Sequence, residues 1–567
     1  MNKTENLNCV LQIFRSFAPY IILLLFLVGC QSNKSPESQA ENVNYTSPTA
    51  NDEFFQEIAK EIGLDFTHSI GDDGLNNIVE SSGAGAAFLD YDQDGFIDIY
   101  VCNGVWLKGF SSGDKPRDNY KNQLYRNKGD GTFENVTDKA GVGGSGYSMG
   151  VTVGDYNNDG YPEIYVSNYG TNVLYENKGN GTFNDVTNKA KVSGEETEFS
   201  VGAVWMDYDN DGFLDLYVGN YLGFDPEYKY FYAPDGFPGP MAYDSQADIL
   251  YRNKGDGTFE NVTEQMGIID VDGRAMGVGA ADYNNDGFVD IYVANDHTVN
   301  YLWHNNEGKG FTDKGTMSGT GFSQVGEATV SMSVDFADFN NDELLDMFIS
   351  DDNYCSLYEN LGNGIFSDKS YVSGISVAAG QFVGWSSSFF DFDNDGDADI
   401  FKSNGELKHL YGHEDQLFEN KGDGTFADVS VDVSQYFQEE LVGRGACLGD
   451  YDNDGDIDIF ILNLDDQCTF LRNNKGNQQN WLLLNLVGKS SNRDGIGAAI
   501  KIIAGGKVQT AQKKSTAGYL SQNDPRVHFG LENQDMVEKI EIKWPSGKTQ
   551  TLENTKANQI LTVEEPE

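Results

Sequence analysis

The 567-residue sequence predicts an all-β protein: seven similar units closed into a ring, then a smaller β-rich domain. Three recurring patterns predict it. An acidic nonapeptide, first DYDQDGFID from Asp90, returns at Asp155, Asp207, Asp282, Asp338, Asp391 and Asp450, each time leading into a run of β-branched and aromatic residues. After each copy comes Leu, usually an aromatic, then Asn, as in NQLYRN at 122 and CTFLRN at 468. A tight GDG or GNG turn opening a strand at Phe, as in GTFENVTDKAGV from Gly131, recurs with Phe183, Phe259, Phe311, Phe366 and Phe426.

At the N-terminus, Lys3 and Arg15 precede an apolar run, Ile21 to Val28, too short to cross a bilayer and shaped like a signal-peptide core. It ends in Leu27-Val28-Gly29-Cys30, which resembles the bacterial lipobox and implies cleavage before Cys30 and acylation of its thiol. The alternatives are a plain secretory signal or an uncleaved anchor. Residues 1–30 are read as a lipoprotein signal peptide and 31–52, polar and Ser/Asn/Pro-containing, as a flexible linker. The expected location is the bacterial envelope, on the outer membrane or cell surface.

The third pattern has six copies among seven repeats, and the missing one lies upstream. FFQEIAKEIGL aligns from Phe55 with FENVTDKAGV: Phe55 with Phe133, Ile58 with Val136, Gly63 with Gly141 and Leu64 with Val142. An orphan last strand at the start of the chain, and a last repeat without one, predict a ring closed by the strand near Phe55. Closure removes the edges that an open array would expose. The expectation is a seven-bladed β-propeller over 53–478.

In each nonapeptide oxygen-bearing residues occupy positions 1, 3, 5 and 9, a glycine usually sits at the sharp turn of position 6, and position 7 offers a carbonyl. That is how a loop wraps calcium, which takes six to eight oxygens at about 2.3–2.6 Å. An EF-hand is excluded, since position 12 of the first copy is Val101 rather than Glu and strands flank the loop. A single copy would read as an ordinary Asx-Gly turn; seven copies before the same strand do not.

These repeats resemble the FG-GAP/VCBS family, found in integrin α N-terminal propellers and in many secreted bacterial proteins. The resemblance implies up to seven calcium ions, held by Asp90, Asp92, Asp94 and Asp98; Asp155, Asn157, Asp159 and Glu163; Asp207, Asp209, Asp211 and Asp215; Asp282, Asn284, Asp286 and Asp290; Asp338, Asn340, Asp342 and Asp346; Asp391, Asp393, Asp395 and Asp399; and Asp450, Asp452, Asp454 and Asp458. The fifth copy departs most, with Glu343 in place of the turn glycine. The most acidic copies, at Asp391 and Asp450, are expected to bind best.

From Trp481 to Glu567 there are 11 basic and 10 acidic residues, a break from the acidic ring. NRDGIGAAIKI from Asn492, AGYLSQNDPRVHFGL from Ala517 and IEIKWPSGKTQTL from Ile540 resemble the ASPIC/UnbV domain, which follows FG-GAP propellers in cartilage acidic protein-like chains. The second domain is placed at 479–567.

A net charge of −51, of which seven calcium ions would offset 14, excludes nucleic acid and leaves membrane contact to the lipid anchor alone. Cys102, Cys355, Cys447 and Cys468 show no zinc spacing and read as buried thiols; a Cys447–Cys468 disulfide is the alternative. No HExxH, GxSxG, P-loop or Rossmann pattern is present. His409 and His413, and Asp296-His297 at the equivalent strand end of the fourth repeat, read as polar loop residues, and His68 and Glu80 as packing. An insertion in the third repeat concentrates Tyr221, Phe224, Tyr228, Tyr230, Phe231 and Tyr232, either ligand contacts or a lid. The expected function is a protein- or glycan-binding module rather than an enzyme; the alternative is a calcium-dependent carbohydrate-active enzyme such as a polysaccharide lyase.

Overall fold

The computed structural model describes residues 53–107, 111, 120–228, 236–352 and 354–567. The signal segment with Cys30 and the linker through residue 52 lie outside them, as do Tyr230, Phe231 and Tyr232.

Each repeat folds as a four-stranded antiparallel sheet, a blade, with strands a to d counted outward. In blade 1 these are Ala86–Leu89, Asp98–Val101, Gln123–Asn127 and Phe133–Asn135. The inner strands of the next six blades are Tyr147–Gly154, Ser200–Met206, Ala275–Ala281, Ser333–Ala337, Gly384–Phe390 and Gly443–Gly449. Strands a and b are almost wholly buried, which is why DIYV, DLYVGN and DIFILN are continuous β-branched and aromatic runs rather than alternating ones. Each inner strand touches those of both neighbouring sheets, the first touching the last, so the ring is a closed β-propeller. Strand d of the last blade is Phe55–Glu57, with Phe55 opposite Asn473 and Glu57 opposite Leu471.

One pair of contacts repeats at every blade junction. The aromatic at nonapeptide position 2 packs on the Phe that opens strand d of the next blade: Tyr91 on Phe183, Tyr156 on Phe259, Tyr208 on Phe311, Tyr283 on Phe366, Phe339 on Phe426, Phe392 on Phe55 and Tyr451 on Phe133, with ring centroids 5.4–6.3 Å apart. Phe55 thus does at the closing junction what Phe133 and its counterparts do elsewhere. Beside each ring pair, the Asn that ends the second pattern donates from Nδ2 to the carbonyl of that position-2 residue across the junction, as Asn305 does to Tyr208 at 2.8 Å and Asn127 to Tyr451 at 2.8 Å. The same bond joins the other five junctions.

Because consecutive strands run antiparallel, the acidic a–b loops and the c–d turns emerge on one face, and the longer b–c connections on the other. The C-terminal domain is two small sheets. Asn480–Val487 pairs with Val527–Glu532 and, in parallel, with Gln559–Glu564. Ala499–Ala504 and Met536–Lys543 lie between Lys507–Gln512 and Thr549–Lys556. Period-two apolar residues, Leu482 and Leu484, Ile500 and Ile502, Ile540 and Ile542, meet in one core with Trp544.

This domain sits on the acidic-loop face, which the sequence patterns do not announce. The segment between Gln512 and Val527 enters the ring and bonds to the inner strand of every blade. Its partners are the Ala86 and Phe88 backbones, Val151 and Val153 N–H, the Trp205 and Val278 carbonyls, the Phe336 carbonyl, Ser386 Oγ and the Leu448 backbone. From the opposite face the Ile78–Ser82 helix, capped by the Asn77 side chain, enters to meet it: Tyr519 donates to the Ser82 carbonyl at 2.9 Å. Gly85 lies where these two segments cross, and a Cβ there would stand 1.8 Å from the Leu520 carbonyl oxygen. The axis of the ring is therefore filled with protein.

Candidate metal centres

The seven nonapeptides fold into one loop repeated. Position 1 accepts from the N–H groups of positions 5 and 6 in every copy, Asp90 from Asp94 and Gly95 and Asp450 from Asp454 and Gly455, at 2.6–3.1 Å over the set. Position 5 accepts from the N–H of position 7. Position 4 is left-handed throughout, which explains the Asn found there in six of the seven copies, since Asn tolerates positive φ. Position 9 is the first residue of strand b. It is buried and accepts from the backbone N–H of the junction Asn, as Asp98 does from Asn127 and Asp215 from Asn253, both at 2.7 Å.

These bonds use only part of the oxygen supply. Buried oxygens without a donor include Asp92 Oδ1, Glu163 Oε2, Asp209 Oδ1, Asp290 Oδ2 and Asp452 Oδ1, which stand at positions 3 or 9 of five different loops. In the four all-aspartate loops, three carboxylates offer oxygens within 4.8 Å of one another: Asp90, Asp92 and Asp94; Asp207, Asp209 and Asp215; Asp391, Asp393 and Asp399; Asp450, Asp452 and Asp458. Burial, joined by neighbouring carboxylates, pushes Asp90 up to about 6, Asp207 to about 7 and Asp450 to about 8, and Asp391 well above the usual range. A hard cation would receive such oxygens and relieve that repulsion, so the residues present fit calcium. Among the described residues, three of the four sequence-predicted ligands come together in each all-aspartate loop, leaving out Asp98, Asp211, Asp395 and Asp454, and the loops at Asp155, Asp282 and Asp338 form no such group of three carboxylates.

The residue before the junction Asn distinguishes the loops, a signal that the nonapeptide alone does not carry. In blade 1 Arg126 donates to Asp92 at 2.5 Å and Asp94 at 2.8 Å, and in blade 3 Arg252 reaches Asp209 at 2.7 Å. In blade 4 His304 lies 3.1 Å from Asp290. Blades 2, 5 and 6 carry Glu176, Glu359 and Glu419 instead, adding a carboxylate near the loop. Loop 6 is thus both all-aspartate and free of an opposing guanidinium, whereas in loop 7 Arg472 faces Asp452 and lowers its pKa somewhat against the upward push of burial.

The departure at Glu343 does not break its loop. Glu343 takes the left-handed backbone of the missing glycine, with φ 73°, and its N–H still reaches Asp338 at 2.9 Å. Its side chain pairs with Lys501 of the C-terminal domain at 2.7 Å. The other domain contacts also fall on the loops: Asp494 accepts from Asp155 N–H, Lys507 pairs with Asp397, Gln512 accepts from Asp282 N–H and Arg526 donates to the Asp450 carbonyl.

The described part of the aromatic insertion is packed to different degrees. Tyr221 is 2% exposed, hydrogen-bonded to Asp296 and packed edge-on against Phe199, so it is a packing residue and not an open contact. Phe224 packs on Tyr169 and Tyr243, while Tyr228 is 41% exposed. His68 and Glu80 are buried, consistent with packing; burial lowers His68 to about 3 and raises Glu80 to about 7. His297 stands exposed, 3.9 Å from the buried Asp296, and His413 packs on Phe382. Cys102, Cys355, Cys447 and Cys468 are buried free thiols.

The family profile described as FG-GAP-like repeat matches residues 90–166, 155–218, 241–293, 282–349 and 338–401, and that described as ASPIC and UnbV matches 488–567. Cartilage acidic protein 1 of Xenopus tropicalis is 26% identical over 357 residues, 58% of this chain and 44% of that protein; the Homo sapiens protein is 25% identical over 356, covering 57% and 43%. The chain therefore spans less than half the length of the curated relatives it matches. Among solved structures, an Agrocybe aegerita lectin that recognises non-reducing terminal N-acetylglucosamine aligns at 18% identity and TM-score 0.39, over 67% of this chain and 86% of that one. YCF48 bound to a D1 peptide aligns at 9% and 0.40, over 75% and 96%. The repeats, the closed ring and the tail together place this chain in the FG-GAP-repeat β-propeller family, with a C-terminal ASPIC and UnbV domain.

Proposed function

We propose that the chain is a calcium-binding propeller, exported and held at the bacterial envelope by an acylated Cys30, that binds a protein or glycan partner. The observation that carries the cation reading is the set of buried, donor-less carboxylate oxygens at equivalent positions of the loops, Glu163 Oε2 and Asp290 Oδ2 being fully buried among them. Calcium would supply charge compensation there and fix the loops on which the C-terminal domain rests. It serves as a staple of the scaffold.

The partner-binding face follows by subtraction. The C-terminal domain covers the acidic-loop face and protein fills the axis, leaving the face of the b–c connections. Most of the exposed large apolar side chains stand there, including Tyr228, Met241, Val271, Tyr371, Val372 and Tyr411. Their gathering on one face supports that face as the partner-binding one. His297 beside Asp296 is the pair a lyase would recruit, but at 3.9 Å it forms no hydrogen bond, and binding is the simpler role.

The test uses the mature chain, residues 31–567. Titration of calcium into chelator-stripped protein is expected to give saturable binding and a higher melting temperature, because a ligand of the folded state alone stabilises by mass action. Secreted calcium modules bind with Kd of about 10⁻⁴–10⁻³ M. Unchanged melting with chelator would overturn the staple role. Release of unsaturated products from acidic polysaccharides would overturn the binding-only reading, and a glycan array or pull-down identifies the partner.

A further inference from the structure

The junction between the C-terminal domain and the ring is not packed throughout. Beside the axial segment, against blades 5, 6 and 7, lies a cleft of about 220 Å³. That is below the roughly 300–1,000 Å³ of pockets for drug-sized ligands, the scale of a small molecule and not of a polymer chain. One wall is apolar, with Phe336, Phe389 and Leu448. The other carries charge.

Nearly all of that charge is matched within the protein. Arg526 grips both carboxylate oxygens of Asp524. Lys514 is bonded to Asp335, and Lys507 pairs with Asp397 at 2.7 Å. Asp338 and Asp391 accept from the backbone of their own loops. His528 is half-buried, is lowered by desolvation to about 4 and lies against the Gly455 carbonyl, so it adds no charge.

Lys513 is the exception. It lines the cleft and is 5% exposed, yet among the described residues its ammonium has neither a hydrogen-bond acceptor nor a carboxylate within 4.0 Å. The acids that act on it do so from farther away: Asp524 is held by Arg526, and Asp494 accepts from Asp155 N–H. Burial lowers Lys513 to about 8, which leaves it cationic at neutral pH. Its Nζ is not among the polar atoms sealed from solvent without a partner, so it opens into the cleft, where it is poorly solvated and an anionic ligand would complete it.

We propose that this cleft binds a small organic carboxylate, its anionic head on Lys513 Nζ and its apolar body against Phe336, Phe389 and Leu448. A carboxylate fits better than phosphate or sulfate, because one free ammonium matches one negative charge and the facing wall offers hydrocarbon and ring surface. Sites with an apolar wall and one well-placed charge at a domain junction are the usual form of small-ligand pockets. The site is independent of calcium ligation, since no oxygen of the loops is asked to hold the ligand.

The probes are benzoate, 3-phenylpropionate and isovalerate, with benzamide and sulfate as controls, titrated calorimetrically into the calcium-loaded mature chain. At least one carboxylate is expected to bind one to one, with benzamide and sulfate inert. Lys513→Met should weaken that carboxylate at least tenfold and Lys513→Arg should keep it within a few-fold. Without ligand, Lys513→Met should melt no lower than the native chain, because it removes an unpartnered buried charge while keeping the side chain's length. Loss of melting temperature in Lys513→Met would make the lysine a structural counter-ion of Asp494 and overturn the proposal. Failure of every carboxylate, equal binding of benzamide, or undiminished binding by Lys513→Met would overturn it as well.

Discussion

The acidic residues of the loops tie cation binding to pH with a definite sign. Asp90, Asp207 and Asp450 are raised to about 6, 7 and 8, against about 3.9 in an unfolded chain. Between those values the folded, metal-free protein holds more protons than the unfolded one, so its stability falls as pH rises from about 4 to 8. Calcium, bound as proposed, would take the deprotonated loop and reverse that trend. The melting difference between calcium-loaded and chelated protein should therefore widen from pH 5 to pH 8; a constant difference would count against these carboxylates as ligands. Guanidinium neighbours set a second expectation. Replacing Arg126 by Gln removes the cation spanning Asp92 and Asp94, and should strengthen calcium binding at loop 1 in calorimetry while leaving loop 6 unchanged. Glu343→Gly exchanges a strained left-handed residue for a permissive one and loses only a solvent-screened ion pair, so it should be neutral or stabilising by about 1 kcal/mol in denaturant unfolding.

Between blades, the junction Asn and the position-2 ring act as one fastening. Asn305→Ala leaves the Tyr208 and Val289 carbonyls without their donor inside a buried interface, and chemical denaturation should register a loss of about 1–3 kcal/mol. This fastening was visible in the sequence only as a repeated letter. The Asn of NVLYEN or DILYRN was legible as part of a pattern, but its partner is a backbone carbonyl in the preceding repeat, and a backbone acceptor leaves no trace in composition. The acidic loops were legible because their pattern is local, spaced at positions 1, 3, 5 and 9 of one segment. The strand at Phe55 was legible because its alignment with Phe133 repeats a side-chain pattern. Docking of the C-terminal domain was not, since it depends on carbonyls, N–H groups and a glycine, Gly85, whose role is only to leave space for Leu520. Gly85→Ala should lower the melting temperature and increase proteolysis between residues 513 and 526, with the acidic loops under the released domain more open to solvent.

At the scale of the whole molecule, closure rests on the first described strand. Phe55→Ala removes a fully buried ring from the last junction and should cost about 3–5 kcal/mol, as large-to-small core changes do. Removing the strand itself would bare the edge at Thr469–Asn473, so dimers or aggregates are expected in light scattering. The filled axis has a consequence in time. Tyr519 closes on Ser82, a residue 437 positions earlier, so the wedge that fixes the middle of the ring is synthesised only after every blade. A chain emerging N-terminus first has its ring-closing strand in hand and no keystone. Until residues beyond 512 arrive, the inner strands surround a hole lined with backbone groups that have no partner, a state that chaperones and proteases would meet before any ligand does.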